Sequence, residues 1–253
     1  MMVFHYGTIE TDWGRMTYTD SGGSGHSLLF LHGTGCDSSD WKSIIEQLPR
    51  HQRYITLDFR GHGQSSVPTE PFTLANLADD VLHLVNAIGI QEVILVGHSL
   101  GGMVAMEAAK HLPCIVGLVL LEGWTSLSSA GSAFDTGRFY GSLSQTEITK
   151  IQRKAEETRN RFKPNVWESF WTSVKEFDAY TYLEQAGIPI FEVFGEMGRN
   201  ELTERKLHIP PNPNIQVIWV PNAGHYLPQE CPEIVVEICI NFVETSSNTI
   251  SNI

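Results

Sequence analysis

Five residues, Gly97-His98-Ser99-Leu100-Gly101, constrain the structure of this chain more than any other segment. They directly follow the apolar run of residues 93–96 and come just before residues 103–109, whose composition is typical of a helix. A serine flanked by glycines between a buried strand and a helix predicts a turn so sharp that only small neighbours fit. Its hydroxyl then stands exposed above the sheet, at the positive end of the helix. A serine that only caps the helix is the simpler alternative, but the surrounding pattern favours a nucleophile.

Short apolar runs alternate with helical patterns along most of the chain, which favours a mostly parallel sheet covered by helices on both faces. The clearest helix is residues 74–88, where apolar side chains recur at helical spacing between Thr73, a suitable cap, and Gly89, a suitable stop. Ahead of the parallel strands, an antiparallel hairpin is expected around Asp12-Trp13-Gly14. The candidate core strands are residues 28–31, 54–57, 93–96, 116–121, 188–194 and 215–220.

One segment interrupts this alternation. Between Leu121 and Ile188 no strand pattern is found, residues 146–161 are charged and helical, and aromatic side chains are concentrated after them. Ligands of such folds bind at the carboxyl ends of the strands, so a lobe inserted after a strand is placed to cover the site. We therefore expect a core of residues 1–122 and 188–253 and a helical cap of residues 123–187. As a group, the aromatic residues predict an apolar pocket, although each one could merely join helices to each other. They are Phe162, Trp167, Phe170, Trp171, Phe177, Tyr180 and Tyr182.

Charge and composition exclude several classes of partner. The net charge of -12 argues against nucleic acid and anionic membrane surfaces, which attract basic patches. The sequence has no targeting segment at its start and no apolar run of roughly 18 residues, so we expect a cytoplasmic protein. The cysteines lack CxxC spacing, which makes a metal site or a disulfide framework a poor expectation. Nothing in the sequence indicates the oligomeric state.

Four motifs occur in the order found in one known family. His32-Gly33-Thr34-Gly35 follows the strand at residues 28–31, the segment from Asp58 to Ser65 follows the next strand, the turn around Ser99 comes third, and Asn222-Ala223-Gly224-His225 follows the last strand. With these motifs the chain resembles the α/β-hydrolase family over nearly its full length. The resemblance implies a mostly parallel eight-stranded sheet with helices on both faces and an inserted helical cap. It also implies that the backbone amides of Thr34 and Leu100 form an oxyanion hole.

Among the histidines, His225 is the expected general base. It follows the apolar strand at residues 215–220 on a glycine-rich turn, from which an imidazole can reach across to Ser99. His32 and His98 lie inside glycine motifs and are expected to shape the turn or the pocket floor. For His62, in a tight Gly-His-Gly loop, a structural role is the safer expectation.

The acid of the triad is the point at which the sequence departs from the family pattern. After the strand at residues 188–194 the family usually has Gly-x-x-Asp, but Gly198 occupies that aspartate position here. Glu122, which directly follows the strand at residues 116–121, resembles an alternative acid position found in some branches such as certain dehalogenases. Glu196 and Glu201 lie in the usual loop and remain second and third choices. Glu122 could also be a carboxylate at the pocket edge without a catalytic role.

A serine at the turn narrows the expected chemistry. Epoxide hydrolases and haloalkane dehalogenases of this family use aspartate there, so Ser99 favours acyl transfer to water through an acyl-enzyme. The expected function is hydrolysis of a carboxylic ester or lactone of a small apolar substrate, without a metal or organic cofactor. A C–C bond hydrolase and a slow-turnover ligand receptor are the alternatives, because the fold does not decide between them.

Overall fold

The strands expected from the apolar runs are present in the computed structural model, which describes residues 3–134, 136–197 and 207–250. Each of the six core strands lies within two residues of its predicted start and end, and the first two strands form the hairpin expected around Asp12-Trp13-Gly14. The strands are β1 (His5–Thr11), β2 (Gly14–Asp20), β3 (Ser27–Leu31), β4 (Arg53–Asp58), β5 (Val93–His98), β6 (Ile115–Leu121), β7 (Ile190–Gly195) and β8 (Ile215–Val220).

These strands form one sheet in the order β1-β2-β4-β3-β5-β6-β7-β8. β1 and β2 are antiparallel to each other, β2 is antiparallel to β4, and the strands from β4 to β8 run parallel. The eight-stranded, mostly parallel sheet predicted from the sequence is thus confirmed. Parallel strands bring their carboxyl ends to one edge, so the loops after β3, β5, β6, β7 and β8 meet there.

Helices cover both faces of the sheet, as predicted. The helices are α1 (Lys42–Ile45), α2 (Leu74–Ala87), α3 (Leu100–Ala109), α4 (Thr136–Phe139), α5 (Gln145–Asn160), α6 (Pro164–Glu176), α7 (Tyr180–Gln185), α8 (Leu227–Glu230) and α9 (Pro232–Ile250), with 3-10 helices at Ser38–Trp41 and Leu127–Phe134. Because side chains alternate along a strand, Leu29 and Leu95 face one apolar cluster with α2 and α3, while Phe30 and Val96 face a second cluster with α1 and α9.

Helix α2 begins where its sequence predicts. Thr73 accepts a hydrogen bond from the amide of Asn76, and the Asn76 side chain accepts one from the amide of Thr73. This reciprocal arrangement satisfies two amides that the first turn of a helix leaves unpaired.

Residues 123–187, which we call the inserted segment, connect β6 to β7 and hold α4 to α7. Polar contacts attach this segment to the loops at the carboxyl edge of the sheet. Lys154 of α5 forms ion pairs with Asp37 at 2.9 Å and Asp40 at 2.7 Å. Arg161 donates hydrogen bonds to the carbonyl oxygens of Gly63 and Ser65, both at 2.9 Å. The segment therefore lies over the strand ends.

The aromatic cluster of the inserted segment attaches it to the rest of the chain. Phe170 stacks on Phe72 with ring centroids 5.2 Å apart, and Phe162 lies 5.9 Å from Phe72 and 6.0 Å from His62. Phe162 and Phe170 are buried in the larger apolar cluster. These two side chains therefore join helices to the core, which was the simpler of the two roles that the sequence allowed.

Within the described ranges, no helix combines the length and the apolar character needed to cross a membrane. The four cysteines are free, and Cys36 and Cys239 are buried.

Candidate active site

Ser99 occupies the sharp turn that its flanking glycines predict. Its backbone has φ 53° and ψ −118°, between the last residue of β5 and the first residue of α3. A non-glycine residue held at positive φ is strained by about 1–3 kcal/mol, and such strain is concentrated at functional sites. A Cβ on Gly97 would overlap the backbone of Gly101, and one on Gly101 would overlap the carbonyl of Leu31. The hydroxyl of Ser99 makes no helix-capping hydrogen bond, which removes the alternative that the serine serves as a cap.

Two backbone amides next to Ser99 are available to a ligand. Leu100 is the first residue of α3, and Thr34 lies in the turn after β3. Neither amide donates a hydrogen bond to another group among the described residues. The Cβ of Ser99 would lie 3.3 Å from a Cβ on Gly33, so the Thr34 turn adjoins the serine. Two unpaired amides beside a serine can stabilise a developing negative charge.

His225 lies in the loop after β8 and is 4% exposed. Its imidazole is sandwiched between two aromatic rings, with the Phe139 ring 4.6 Å away at 11° and the Trp124 ring 4.9 Å away at 28°. His98, the residue before Ser99, donates from Nε2 to the carbonyl oxygen of His225 at 2.9 Å. The structure thus brings the loop of His225 against the residue that precedes Ser99.

Glu122 is the carboxylate that contacts His225. It is fully buried and has φ 53°, directly after β6. Its Oε2 lies 3.5 Å from Nδ1 of His225 and accepts a hydrogen bond from Nε1 of Trp124 at 3.1 Å, while Oε1 accepts one from the amide of Gly195 at 2.8 Å. The contact with His225 is long for a hydrogen bond, and such contacts often tighten when substrate binds.

Backbone hydrogen bonds fix Glu122 relative to the serine turn. The amide of Ser99 donates to the carbonyl of Leu121 at 2.9 Å, and the amide of Glu122 donates to the carbonyl of Val193 at 2.8 Å. Because β5 lies beside β6, the serine turn and Glu122 are neighbours at the carboxyl edge of the sheet.

The other two candidate acids have different positions. Glu196 follows β7 and is half-buried, and it forms no hydrogen bond with His225 in the part of the chain that the structure describes. Glu201 and the glycine at the usual acid position, Gly198, lie outside the described residues.

The remaining histidines of the glycine motifs are buried and neutral. Burial, with a contribution from His225, lowers the pKa of His98 to about 3. Burial, with a contribution from His32, lowers the pKa of His62 to about 3, and burial also lowers the pKa of His32. His32 donates from Nδ1 to the carbonyl of Gly33 and accepts at Nε2 from the amide of Phe59. These side chains shape the loops, as expected.

Sequence reasoning missed several residues that surround His225. Trp124, Phe134 and Phe139 come from the start of the inserted segment rather than from its aromatic cluster, and Phe134 is 48% exposed. Trp124, two residues after the candidate acid, could have been singled out by that spacing alone. The sequence carries no comparable signal for Phe139.

Comparisons with known proteins agree with this fold. The model of the alpha/beta hydrolase family matches residues 28–238. The 2-(acetamidomethylene)succinate hydrolase of Mesorhizobium japonicum is 24% identical over 267 residues, covering 95% of this chain and 96% of that protein. The dihydrolipoyllysine-residue acetyltransferase component of the acetoin cleaving system of Cupriavidus necator is 32% identical over 146 residues, covering 58% of this chain. That match spans only 39% of the acetyltransferase component, and matches to other curated relatives span 29% and 43% of their length.

Among solved structures, a variant of N-acyl homoserine lactonase AidH complexed with N-hexanoyl homoserine lactone superposes with a TM-score of 0.78. It is 20% identical and covers 96% of this chain and 99% of that chain, a likeness that shows the fold. Because the family model matches most of the sequence, this chain belongs to the α/β-hydrolase family.

Proposed function

We propose that this protein is a serine-dependent hydrolase that cleaves a carboxylic ester or lactone of a small apolar substrate through an acyl-enzyme. One observation carries the proposal: the buried carboxylate of Glu122 lies against Nδ1 of His225, on a loop that adjoins the turn bearing Ser99. A carboxylate in this position holds the imidazole with its proton on Nδ1, so that Nε2 can accept the proton of a serine hydroxyl.

In the first half of the proposed reaction, Oγ of Ser99 attacks the carbonyl carbon and its proton passes to Nε2 of His225. The negative charge that develops on the carbonyl oxygen is stabilised by the free amides of Thr34 and Leu100. When the tetrahedral intermediate collapses, the leaving oxygen takes the proton from His225. In the second half, water gives a proton to His225 and adds to the acyl carbon. When this second tetrahedral intermediate collapses, the bond from the acyl carbon to Oγ of Ser99 breaks, and Oγ takes the proton back from His225 as the acid leaves.

The groups around His225 can stabilise the imidazolium that forms during this reaction. The carboxylate of Glu122 offsets the positive charge in a largely buried site. The parallel faces of Trp124 and Phe139 add cation–π attraction, worth about 0.5–2 kcal/mol. Because both effects act when the imidazolium forms, they lower the barrier of the proton-transfer step.

The same aromatic residues support an apolar substrate. Phe134 lies 5.0 Å from Trp124 and 5.5 Å from Phe139, and it is half-exposed, so these three rings form an apolar wall that leads from solvent to His225. We further propose that residues 123–187 act as a cap domain on a core of residues 1–122 and 188–253. The lactonase among the similar structures is a reason to include lactones among the substrates tested.

Steady-state turnover on p-nitrophenyl esters and lactones of increasing chain length tests this proposal. We expect multiple turnovers by the wild type and a loss of several orders of magnitude in kcat for Ser99→Ala, because only substrate binding and oxyanion stabilisation then remain. Circular dichroism and thermal unfolding of the variant control for folding. A single burst that leaves a lasting adduct would point to a receptor. Turnover of a vinylogous diketone but of no ester or lactone would point to a C–C bond hydrolase.

A further inference from the structure

A carboxylate outside the proposed triad joins the inserted segment to the loop that carries His225. Oε2 of Glu230, in α8, accepts hydrogen bonds from the amides of Gly224 at 2.9 Å and Ser142 at 3.0 Å. Its Oε1 accepts one from the amide of Tyr226 at 3.0 Å. Gly224 and Tyr226 flank the histidine in the chain, whereas Ser142 belongs to the inserted segment. One side chain therefore binds both pieces of backbone.

Around this carboxylate the two backbones contact each other directly. The amide of His225 itself donates to the carbonyl oxygen of Phe139 at 3.1 Å. The ring of Tyr140 stacks on that of Tyr226, with centroids 5.6 Å apart and planes at 4°. The position of residues 224–226, the loop that carries His225, thus depends on residues 138–142 as well as on the core.

Glycines make this close approach possible. Gly141 has φ 51°, and a Cβ on it would overlap the carboxylate of Glu230. A Cβ on Gly224 would lie 2.5 Å from the carbonyl oxygen of Arg138 and 2.7 Å from the amide nitrogen of Gly141. No residue with a side chain fits at either position without separating the two backbones.

A carboxylate is well matched to these three donors. The amides of Gly224, Ser142 and Tyr226 have no other acceptor among the described residues. A carboxylate accepts hydrogen bonds at both oxygens, whereas the amide of glutamine accepts at one oxygen only. Burial raises the pKa of Glu230, and the three amides act in the opposite direction by stabilising its charged form.

We infer that Glu230 is a positioning residue for the proposed reaction: it fastens residues 138–142 of the inserted segment to residues 224–226 and so holds His225 in its working position. The inference rests on the proposed function, since Glu230 acts through His225 and touches no reacting atom. Placement of the base then depends on the inserted segment as well as on the core.

Two substitutions break this connection from opposite sides. Glu230→Gln removes one acceptor and the charge from the catalytic side. Gly141→Ala introduces the overlapping Cβ from the side of the inserted segment. Gly131→Ala is the matched control, because Gly131 has φ 54°, like Gly141, but a Cβ there would meet nothing within 4 Å. The control therefore also places a Cβ at a position of positive φ, without touching Glu230.

The experiment compares kcat and KM of the three variants on a p-nitrophenyl ester and an ethyl ester of the same acid. We expect kcat of Glu230→Gln and Gly141→Ala to fall by up to about 100-fold, the loss typical of a catalytic group displaced by about 1 Å, with little change in KM. The loss should be larger for the ethyl ester, because an alkoxide needs the proton from His225 to leave and p-nitrophenolate does not. Gly131→Ala should behave as the wild type.

Several results would overturn the inference. The kcat values of both variants could match that of Gly131→Ala, or KM could rise while kcat stays unchanged. Activity on the two esters could also fall equally and in proportion to a loss of thermal stability. If Glu230→Gln does not fold, Gly141→Ala against Gly131→Ala gives the same test. Failure of the proposed function is distinguishable, because the wild type itself would then neither turn over esters nor react at Ser99 with a fluorophosphonate, and the inference would fall with it.

Discussion

Replacement of Glu192 by glutamine should stabilise this protein, by an amount that grows with pH. Glu192 lies in β7, is fully buried, and neither of its carboxyl oxygens has a hydrogen-bond partner among the described residues. Burial, together with the negative charge of Glu122, raises the pKa of this carboxyl from its ordinary 4.5 to about 8. At neutral pH the side chain therefore carries its proton in the folded protein and is ionised in the unfolded chain.

The sign and size of the effect follow from this difference. Between pH 4.5 and about pH 8 the folded state holds a proton that the unfolded state has lost, so the wild-type protein becomes less stable as the pH rises. At about 1.4 kcal/mol for each unit of pH, the cost is about 3 kcal/mol at pH 7 and about 5 kcal/mol well above pH 8. It vanishes below pH 4.5, where both states are protonated. A glutamine, which is close in size and does not titrate, escapes this cost.

The assay is urea unfolding of the wild type and Glu192→Gln at a series of pH values. The difference in unfolding free energy between the two proteins should rise by about 4 kcal/mol between about pH 5 and pH 9, with unchanged m-values. Other titrating groups are common to both proteins and cancel. In a Glu122→Gln background the rise should end at a lower pH, because one of its two causes is gone. A difference that stays constant across this range would refute the reasoning.

Three further outcomes are expected for activity. Glu122→Gln should lower kcat by up to about 10⁴-fold with the fold intact, while Glu196→Gln stays near the wild type; a crippled Glu196→Gln beside an active Glu122→Gln would move the acid to the usual loop. Trp124→Phe keeps a ring against His225 but loses the hydrogen bond to Glu122, so kcat measured in the steady state should fall about tenfold. An unchanged kcat would show that this hydrogen bond does not hold the acid in place. kcat/KM should rise with acyl length, because each buried methylene strengthens transition-state binding by at most about 0.8 kcal/mol. A preference for acetyl over hexanoyl esters would contradict an apolar pocket.

Much of the fold could be predicted because its signals are local. Continuous apolar runs identify strands buried on both faces, and Thr73 with Asn76 fixes the start of α2 within the sequence itself. The turn at Ser99 is equally local, since Gly97 and Gly101 are the residues that the close approach of the backbones requires.

The acid depended on more than local sequence. Gly198 at the usual position showed that a different residue was needed, and the place of Glu122 at the end of a strand made it the first choice. Its contacts, however, require β7 to lie beside β6, because the amide of Gly195 binds one carboxylate oxygen while Trp124 and His225 meet the other. The assignment of Glu122 as the acid stays a prediction until its variants are measured.

The surroundings of His225 could not be predicted. The cluster that contains Phe162 and Phe170 drew attention by its density, but these two side chains pack on His62 and Phe72 in the loop after β4. Phe139 meets His225, and Ser142 meets Glu230, only because the inserted segment folds back over the loop after β8. No periodicity or motif records such a contact.

Reaction with a fluorophosphonate, followed by peptide mass spectrometry, tests the central claim most directly. We predict a single adduct on Ser99 in the wild type, and no adduct in a folded Ser99→Ala variant, because the hydroxyl made reactive by His225 is then missing. An adduct on a different residue, or an unlabelled wild type that still turns over esters, would contradict the account.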